Sequence, residues 1–204
     1  MGKAMTAWFS IGSTYTYLTA LRLNKVVQNS NIELKIIPIS IRQIMKSMDN
    51  IPFPPSKKSK VDYMWRDIER RAQFYGLPNP RVPAPYPLQE FDRANYVGIV
   101  LNQRGQYLDY FERTYRHWFL GGLEAGSVEN LHLTLEEMKL DFEEILSAAS
   151  SPKIEKEYLE NTNAAQALGI FGAPSFSVGR EIFWGDDRLE DAIRFAESIK
   201  GPSG

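Results

Sequence analysis

The hydrophobic pattern at the start of the chain has the spacing of a strand, then of a helix, then of a strand again. Residues 6–11 form a short apolar run that predicts a buried strand, and the β-branched run at residues 33–41 predicts a second one. Between them, after a turn at Gly12, apolar residues recur at helical spacing to about Asn29. Two strands joined through one helix in so short a span predict a βαβ unit with parallel strands.

The middle of the chain has helical spacing almost throughout. Residues 51–55, Ile-Pro-Phe-Pro-Pro, predict an extended linker before this part. The aromatic side chains of residues 106–120 favour packing in a core or at a dimer interface over a substrate-binding wall. Amphipathic patterns predict a series of helices over residues 57–75, 91–104, 106–120, 133–148 and 152–166.

The C-terminal part returns to strand spacing just after a proline. Residues 169–178, Gly-Ile-Phe-Gly-Ala-Pro-Ser-Phe-Ser-Val, predict a glycine-rich turn that leads into a strand. A proline cannot donate to a strand ladder, and a cis bond between Ala173 and Pro174 would present the Ala173 backbone to a groove. We predict that this bond is cis, which leaves an edge to which an extended peptide can bind.

Two short strands and a helix complete the pattern. Residues 175–178 and 181–184 predict a β-hairpin, and residues 188–199 predict a final helix. The predicted order is therefore βαβ, a block of helices, and ββα. This order predicts an α/β protein with a thioredoxin-like fold and an all-helical insertion between its two halves.

The domain boundaries follow from this order. Residues 1–45 and 167–204 would form a discontinuous thioredoxin-like domain, and residues 46–166 would form the inserted helical domain. The start of the first helix and the loop before Pro174 would then face each other across the edge of the sheet. We therefore expect the functional residues at that edge.

Composition limits the chemistry more than it limits the fold. The chain has 204 residues, a net charge of −1 and no cysteine. The charge favours neither nucleic acid nor an anionic membrane as a partner, and no apolar run approaches the roughly 20 residues of a spanning helix. No signal-peptide pattern opens the chain, so we predict a cytoplasmic protein.

The missing cysteine removes several kinds of site at once. Disulfides, thiolate metal sites and a cysteine nucleophile are excluded. The two histidines, His117 and His132, show no metal-ligand spacing, and a lone histidine is more often a packing or surface residue. An enzyme with this composition would borrow its reactive group from a cofactor, and no metal site is predicted.

Where thioredoxins begin their first helix with Cys-x-x-Cys, this chain has Ser13-Thr14-Tyr15-Thr16. A helix start concentrates backbone N–H donors, so it can still stabilise a thiolate brought by a cofactor, of which glutathione is the obvious candidate. Other stretches extend the comparison in register, at residues 9–18, 44–52, 60–70, 169–176 and 183–189. Together they resemble the 2-hydroxychromene-2-carboxylate isomerases and the kappa-class glutathione transferases, which have a DsbA-like thioredoxin fold.

The resemblance implies that glutathione is the cofactor and assigns residues to it. Ser13 would be the catalytic serine, whose hydroxyl hydrogen-bonds the glutathione sulfur. The backbone of Ala173 would pair with the cysteinyl part, and Asn50 and Lys60 would hold the polar ends. Each has a plainer alternative from local sequence: Ser13 as a helix N-cap, Asn50 as a turn residue, and Lys60 as a solvated lysine.

Two adjacent aspartates are implied at the γ-glutamyl end of the cofactor. Asp187 would take the γ-glutamyl ammonium, unless it serves only as a helix cap. Asp186 stands where the family commonly has Ser or Gln, which can donate to the γ-glutamyl carboxylate. An ionised Asp186 cannot donate and is expected to repel that carboxylate.

The leading function implied by the resemblance is a glutathione-dependent isomerisation in aromatic hydrocarbon catabolism. The family reaction interconverts 2-hydroxychromene-2-carboxylate and trans-o-hydroxybenzylidenepyruvate by reversible thiolate addition, bond rotation and thiol release. The substrate would be a small aromatic carboxylate, which Arg70 or Arg71 of the insertion can meet. The family also implies a homodimer.

Two further functions stay open at this point. A kappa-like glutathione transferase would use the same thiolate on an electrophile and keep the conjugate. The second is a non-catalytic thioredoxin-fold binding protein, in which Asp186 would indicate that the glutathione site has been lost. Depletion of glutathione in a steady-state assay separates the transferase from an isomerase. Calorimetry with glutathione identifies the non-catalytic binding protein.

Overall fold

The computed structural model describes residues 3–50, 54 and 56–199. The predicted linker at residues 51–55 lies outside the described residues except for Pro54. In chain order the elements are β1 (Lys3–Phe9), α1 (Thr16–Gln28), β2 (Ile32–Pro38), α2 (Ile41–Ser47), α3 (Lys58–Phe74), α4 (Arg93–Gln103), α5 (Tyr107–Arg116), a π-helical turn (His117–Gly121), α6 (Val128–Glu137), α7 (Phe142–Ala149), α8 (Pro152–Leu168), β3 (Ser175–Val178), β4 (Glu181–Trp184), a 3-10 turn (Asp186–Arg188) and α9 (Leu189–Ser198).

The strands form one mixed sheet in the order β2-β1-β3-β4. β1 runs parallel to β2, with Ala7 opposite Ile36, and antiparallel to β3, with Ala7 opposite Phe176. β4 pairs antiparallel with β3, so that Phe183 lies opposite Phe176. The predicted thioredoxin-like fold, with βαβ and ββα halves separated by helices, is confirmed.

The aromatic residues near the middle of the chain lie in the core between the sheet and the helices. Phe9 of β1 stacks on Phe111 of α5 with ring centroids 4.8 Å apart, and its ring edge meets Phe176 of β3. Full burial of such side chains stabilises the fold by about 1.5–3 kcal/mol each. The fully or almost fully buried aromatic side chains of α5 and the turn after it are Tyr107, Tyr110, Phe111, Tyr115, Trp118 and Phe119.

The inserted helices share surfaces with the sheet. α4 and α8 both pack against β2, and the Ser40 N–H after β2 donates to the Thr162 hydroxyl of α8 at 2.9 Å. The predicted domain boundaries at residues 45 and 167 stay a prediction.

One helix prediction and one strand prediction were wrong in detail. A single helix at residues 133–148 was predicted, whereas the structure has α6 and α7 separated near Lys139, which has a φ of 58°. The Asp141 carboxylate accepts from the Glu144 N–H at 2.7 Å and starts α7 anew. The second strand was predicted to reach Ile41, but β2 ends at Pro38, and the Ser40 hydroxyl caps the unpredicted helix α2.

No helix in the described part of the chain is long and apolar enough to cross a membrane. Across the same residues, His, Asp and Glu side chains form no group that can hold a metal ion.

Candidate active site

The predicted meeting of the first helix start and the loop before Pro174 is confirmed. The Ser13 hydroxyl donates to the Ala173 carbonyl oxygen at 2.7 Å, and the Ala173–Pro174 bond is cis, as predicted. The Tyr115 hydroxyl donates to the Ser13 carbonyl at 2.9 Å and fixes the backbone at this point. Ser13 and Ala173 therefore form one corner at the edge of the sheet.

Ser13 is not the N-cap of the first helix, so this alternative was wrong. α1 begins at Thr16, its N-cap position is Tyr15, and no side chain there accepts a capping hydrogen bond. Ser13 lies in a turn before the helix, where its N–H donates to the Ser10 carbonyl at 3.2 Å. Its hydroxyl is consequently directed across the edge of the sheet instead of along the helix.

Asn95 of α4 holds the loop that carries Ser13. Its side chain is fully buried, accepts from the Ile11 N–H at 2.8 Å and donates to the Ile11 carbonyl at 3.0 Å. The next residue, Gly12, has a φ of 133°, and a Cβ there would lie 2.7 Å from the Phe91 ring. The loop thus needs glycine both for its backbone conformation and for the approach of Phe91.

A pocket of about 220 Å³ opens beside the Ser13–Ala173 corner. It lies where α3, the cis-proline loop and the turn after β4 meet. Its lining residues are Tyr15, Asp67, Arg71, Ala173, Pro174, Trp184, Gly185, Asp186 and Asp187.

Asp186 is a buried carboxylate within an ion-pair network. Its Oδ1 accepts from the Thr19 hydroxyl at 2.9 Å and from Arg22 Nε at 3.0 Å, and Arg22 also pairs with Glu190. Burial alone would lower the pKa of Arg22, but the two carboxylates raise it above its ordinary value. The charge of Asp186 is therefore balanced inside the protein, which offsets the expected repulsion of a bound carboxylate.

The other oxygen of Asp186 remains available to the pocket. Among the described residues, Asp186 Oδ2 has no hydrogen-bond partner, although the residue is only 3% exposed. Arg71 Nη2 lies 3.6 Å from this oxygen, which is an ion-pair distance and too long for a hydrogen bond. The pocket thus contains an unsatisfied acceptor beside a guanidinium group.

One face of α3 reaches the site. Met64 accepts from the Thr14 hydroxyl at 3.0 Å, and Asp67 accepts from the Tyr15 hydroxyl at 3.1 Å. Burial, and then the Asp67 carboxylate, raise the pKa of Tyr15 well above its usual range, so Tyr15 remains a protonated donor. Arg71 lies four residues after Asp67 on the same helical face.

The remaining predicted site residues lie at different distances from this pocket. Asp187 lines it; its side chain is 46% exposed and lies 3.3 Å from Arg188, and it makes no capping hydrogen bond. Asn50 and Lys60 are exposed and are absent from its lining among the described residues. Lys60 precedes Met64 by one turn, on the α3 face that reaches the site.

Sequence reasoning did not assign Tyr15, Arg22 or Trp184, and it could not choose between Arg70 and Arg71. The helical spacing from Met64 through Asp67 to Arg71 was the available signal for Arg71. Arg70 instead donates to Asp67 at 3.1 Å. Trp184 packs against Phe171 with ring centroids 4.8 Å apart, and both rings are partly exposed beside the cis proline.

Comparison with known proteins agrees with this geometry. A model of the DsbA-like thioredoxin domain matches residues 4–194. The chain belongs to the DsbA-like thioredoxin domain family. A solved structure of 2-hydroxychromene-2-carboxylate isomerase superimposes with a TM-score of 0.80 at 26% identity, over 97% of this chain and 100% of that one.

Curated relatives of this DsbA-like chain are enzymes. A 2-hydroxychromene-2-carboxylate isomerase of Pseudomonas putida is 28% identical over 187 residues, which cover 89% of this chain and 88% of that protein. A glutathione S-transferase kappa 2 of Caenorhabditis elegans is 24% identical over 216 residues, covering 98% and 95%. The predicted resemblance to these two groups, and the prediction that the chain is an enzyme, are confirmed.

Proposed function

We propose that this chain is a glutathione-dependent isomerase that acts on a small conjugated aromatic carboxylate such as 2-hydroxychromene-2-carboxylate. The observation that carries the proposal is the Ser13 hydroxyl, 2.7 Å from the Ala173 carbonyl, at a corner where a chain without cysteine has no sulfur of its own. The match to the isomerase of Pseudomonas putida over 89% of the chain supports it.

The pocket beside Ser13 has suitable charges for the γ-glutamyl end of glutathione, which is a zwitterion. Arg71, 30% exposed, is the donor for its carboxylate, and Asp187 with Asp186 Oδ2 are the acceptors for its ammonium. The Ala173 backbone is the partner for the cysteinyl part. Asn50 and Lys60 are proposed to hold the other end of the tripeptide.

Bound glutathione would supply the thiol nucleophile that this chain lacks. Ser13 then exchanges a hydrogen bond to a neutral carbonyl for one to a charged sulfur, and charge-assisted hydrogen bonds are roughly twice as strong. The Tyr15 hydroxyl donates to Asp67 and keeps this carboxylate in place beside the pocket. The residues of the chain thus bind and orient the cofactor and stabilise negative charge. The homodimer and the cytoplasmic location stay predictions.

The second candidate is a kappa-like glutathione transferase. It is supported by the match to the Caenorhabditis elegans kappa protein over 98% of this chain. Both functions need the same thiol position, so the corner at Ser13 does not separate them. They differ in the fate of glutathione, which an isomerase returns and a transferase consumes.

The test is a steady-state assay with 2-hydroxychromene-2-carboxylate and glutathione. Isomerisation that requires glutathione but leaves its concentration unchanged supports the proposal. The Ser13→Ala variant should fold, bind glutathione and turn over about 100-fold more slowly or worse, the usual effect of removing one such donor. An unchanged rate in Ser13→Ala would remove this residue from the mechanism, and loss of glutathione during turnover would favour the transferase.

A further inference from the structure

A second cleft, of about 450 Å³, lies beside the loop that carries Ser13, and it shares no lining residue with the first pocket. Phe91, one of its walls, is the residue that contacts Gly12, and Asn95 also donates to the Phe91 carbonyl at 3.1 Å. The Phe91 wall of the cleft is therefore held against the loop that carries Ser13. Its lining residues are Arg42, Gln89, Glu90, Phe91, Asp92, Arg93, Tyr96 and Ser150.

Among the residues that the structure describes, Arg42 is the cation of this cleft that has no anionic partner. Its guanidinium carbon lies 5.3 Å from the centroid of the Phe91 ring, and it makes no hydrogen bond or ion pair to any described residue. The other arginine, Arg93, pairs with Glu90 at 3.0 Å and donates to the Gly126 carbonyl at 3.2 Å. Arg42 is thus oriented by an aromatic ring, and no described residue occupies its donors.

The other walls suit an aromatic ligand. Tyr96 is half-buried, and its ring meets Tyr158 edge-on with centroids 5.1 Å apart, which fixes its position. The Tyr158 hydroxyl donates to Asp92 at 3.0 Å, so one oxygen of this carboxylate is already occupied. A cleft of this volume, with two rings and one free guanidinium, matches a small aromatic acid.

We propose that this cleft binds the aromatic carboxylate substrate, with Arg42 holding the carboxylate and Phe91 and Tyr96 flanking the ring. Glu90 and Asp92 would repel a second negative charge, so the cleft selects monocarboxylates. Identification of the ligand as the substrate rests on the proposed function. Binding of an aromatic acid at Arg42 does not depend on it.

The test measures acid binding by calorimetry in the absence of glutathione, with trans-2-hydroxycinnamate as the probe and its uncharged primary amide as the matched ligand. The wild-type chain should bind the acid at least about 10-fold more tightly than the amide. Arg42→Gln should abolish this preference, and Arg42→Lys should retain part of it. Arg194→Gln, an equal charge change on an exposed arginine of α9 paired with Asp191, should leave it intact.

Arg42 is exposed, so its variants should unfold at the wild-type temperature. The proposal is overturned if the wild-type chain binds neither ligand, or if Arg42→Gln binds the acid as tightly as wild type does. Glutathione titrations of the same proteins keep this result separate from the proposed function. If glutathione does not bind but the acid preference still depends on Arg42, acid binding in the cleft is supported and the glutathione-dependent function is contradicted.

Discussion

Asp186 and Asp187 are adjacent in sequence but have opposite surroundings. Asp186 is 3% exposed and neutralised by Arg22, whereas Asp187 is about half exposed and, among the described residues, pairs with Arg188 alone. Breaking a buried ion pair leaves an uncompensated charge, but loss of an exposed pair costs little. The two residues should therefore contribute differently to the stability of the protein.

We predict that Asp186→Asn lowers the free energy of unfolding by about 3 kcal/mol, because Arg22 would lose its buried carboxylate and keep only the partly exposed Glu190. The matched Asp187→Asn variant should lose less than about 1 kcal/mol. Urea denaturation of both variants checks this, and equal losses would contradict the assignment of Asp186 to the core network.

Arg71 and Arg70 provide a second matched pair. Arg71→Gln should weaken glutathione binding by about 10- to 100-fold, because a charged hydrogen bond to the γ-glutamyl carboxylate is lost. Arg70→Gln should have little effect, because Arg70 pairs with Asp67 and does not line the pocket. Calorimetry with glutathione gives both affinities.

A cofactor analogue tests the partner of Arg71. 4-Aminobutyryl-Cys-Gly keeps the terminal amine but lacks the α-carboxylate. Wild type and Arg71→Gln should bind this analogue equally. A persistent difference would mean that Arg71 acts on another part of the cofactor.

At the scale of elements, the site depends on the attachment of the Ile11–Gly12 loop to α4. Asn95→Ala would leave the buried N–H and carbonyl of Ile11 without partners. We expect a loss of about 3 kcal/mol in unfolding free energy and a further loss of turnover, because Ser13 would no longer be held. Gln103→Ala on the exposed face of α4 is the control, and equal stability of the two variants would contradict the role of Asn95.

The two C-terminal strands were more predictable than the break between α6 and α7. β3 and β4 match the predicted residues 175–178 and 181–184, because their limits are set by Pro174 and the Gly179 turn, which are local signals. The break between α6 and α7 depends on Lys139 adopting a positive φ, which its residue type does not favour. Local propensity therefore could not reveal it.

Only those site residues that belong to the family's sequence motifs could be predicted from the sequence. Ser13, Ala173 and Asp187 were assigned from motifs, and the structure brings all three to one edge. The pairing of Arg22 with Asp186 joins residues 164 positions apart, and neither residue shows this partner in its local sequence. Such long-range neutralisation of charge becomes visible only once α1 and the last turn are packed together.

At the scale of the whole molecule, the proposed function requires that all thiol chemistry come from the cofactor. The chain contains no cysteine, so treatment with iodoacetamide followed by removal of the reagent should leave full activity when fresh glutathione is added. The control is a sample in which glutathione itself is alkylated, which should be inactive. Inactivation of the protein by the reagent would point to a different nucleophile.

The most direct test of the central claim is the pKa of the glutathione thiol in the complex with this protein. This pKa is measured from the ultraviolet absorbance of the thiolate as a function of pH. A donor to the thiolate lowers this pKa, so the thiolate should form below the ordinary thiol pKa of about 8.5 in the wild-type complex. In Ser13→Ala, the pKa should move back toward that value. The same pKa in both complexes, with glutathione bound in each, would contradict the claim that Ser13 stabilises the borrowed sulfur.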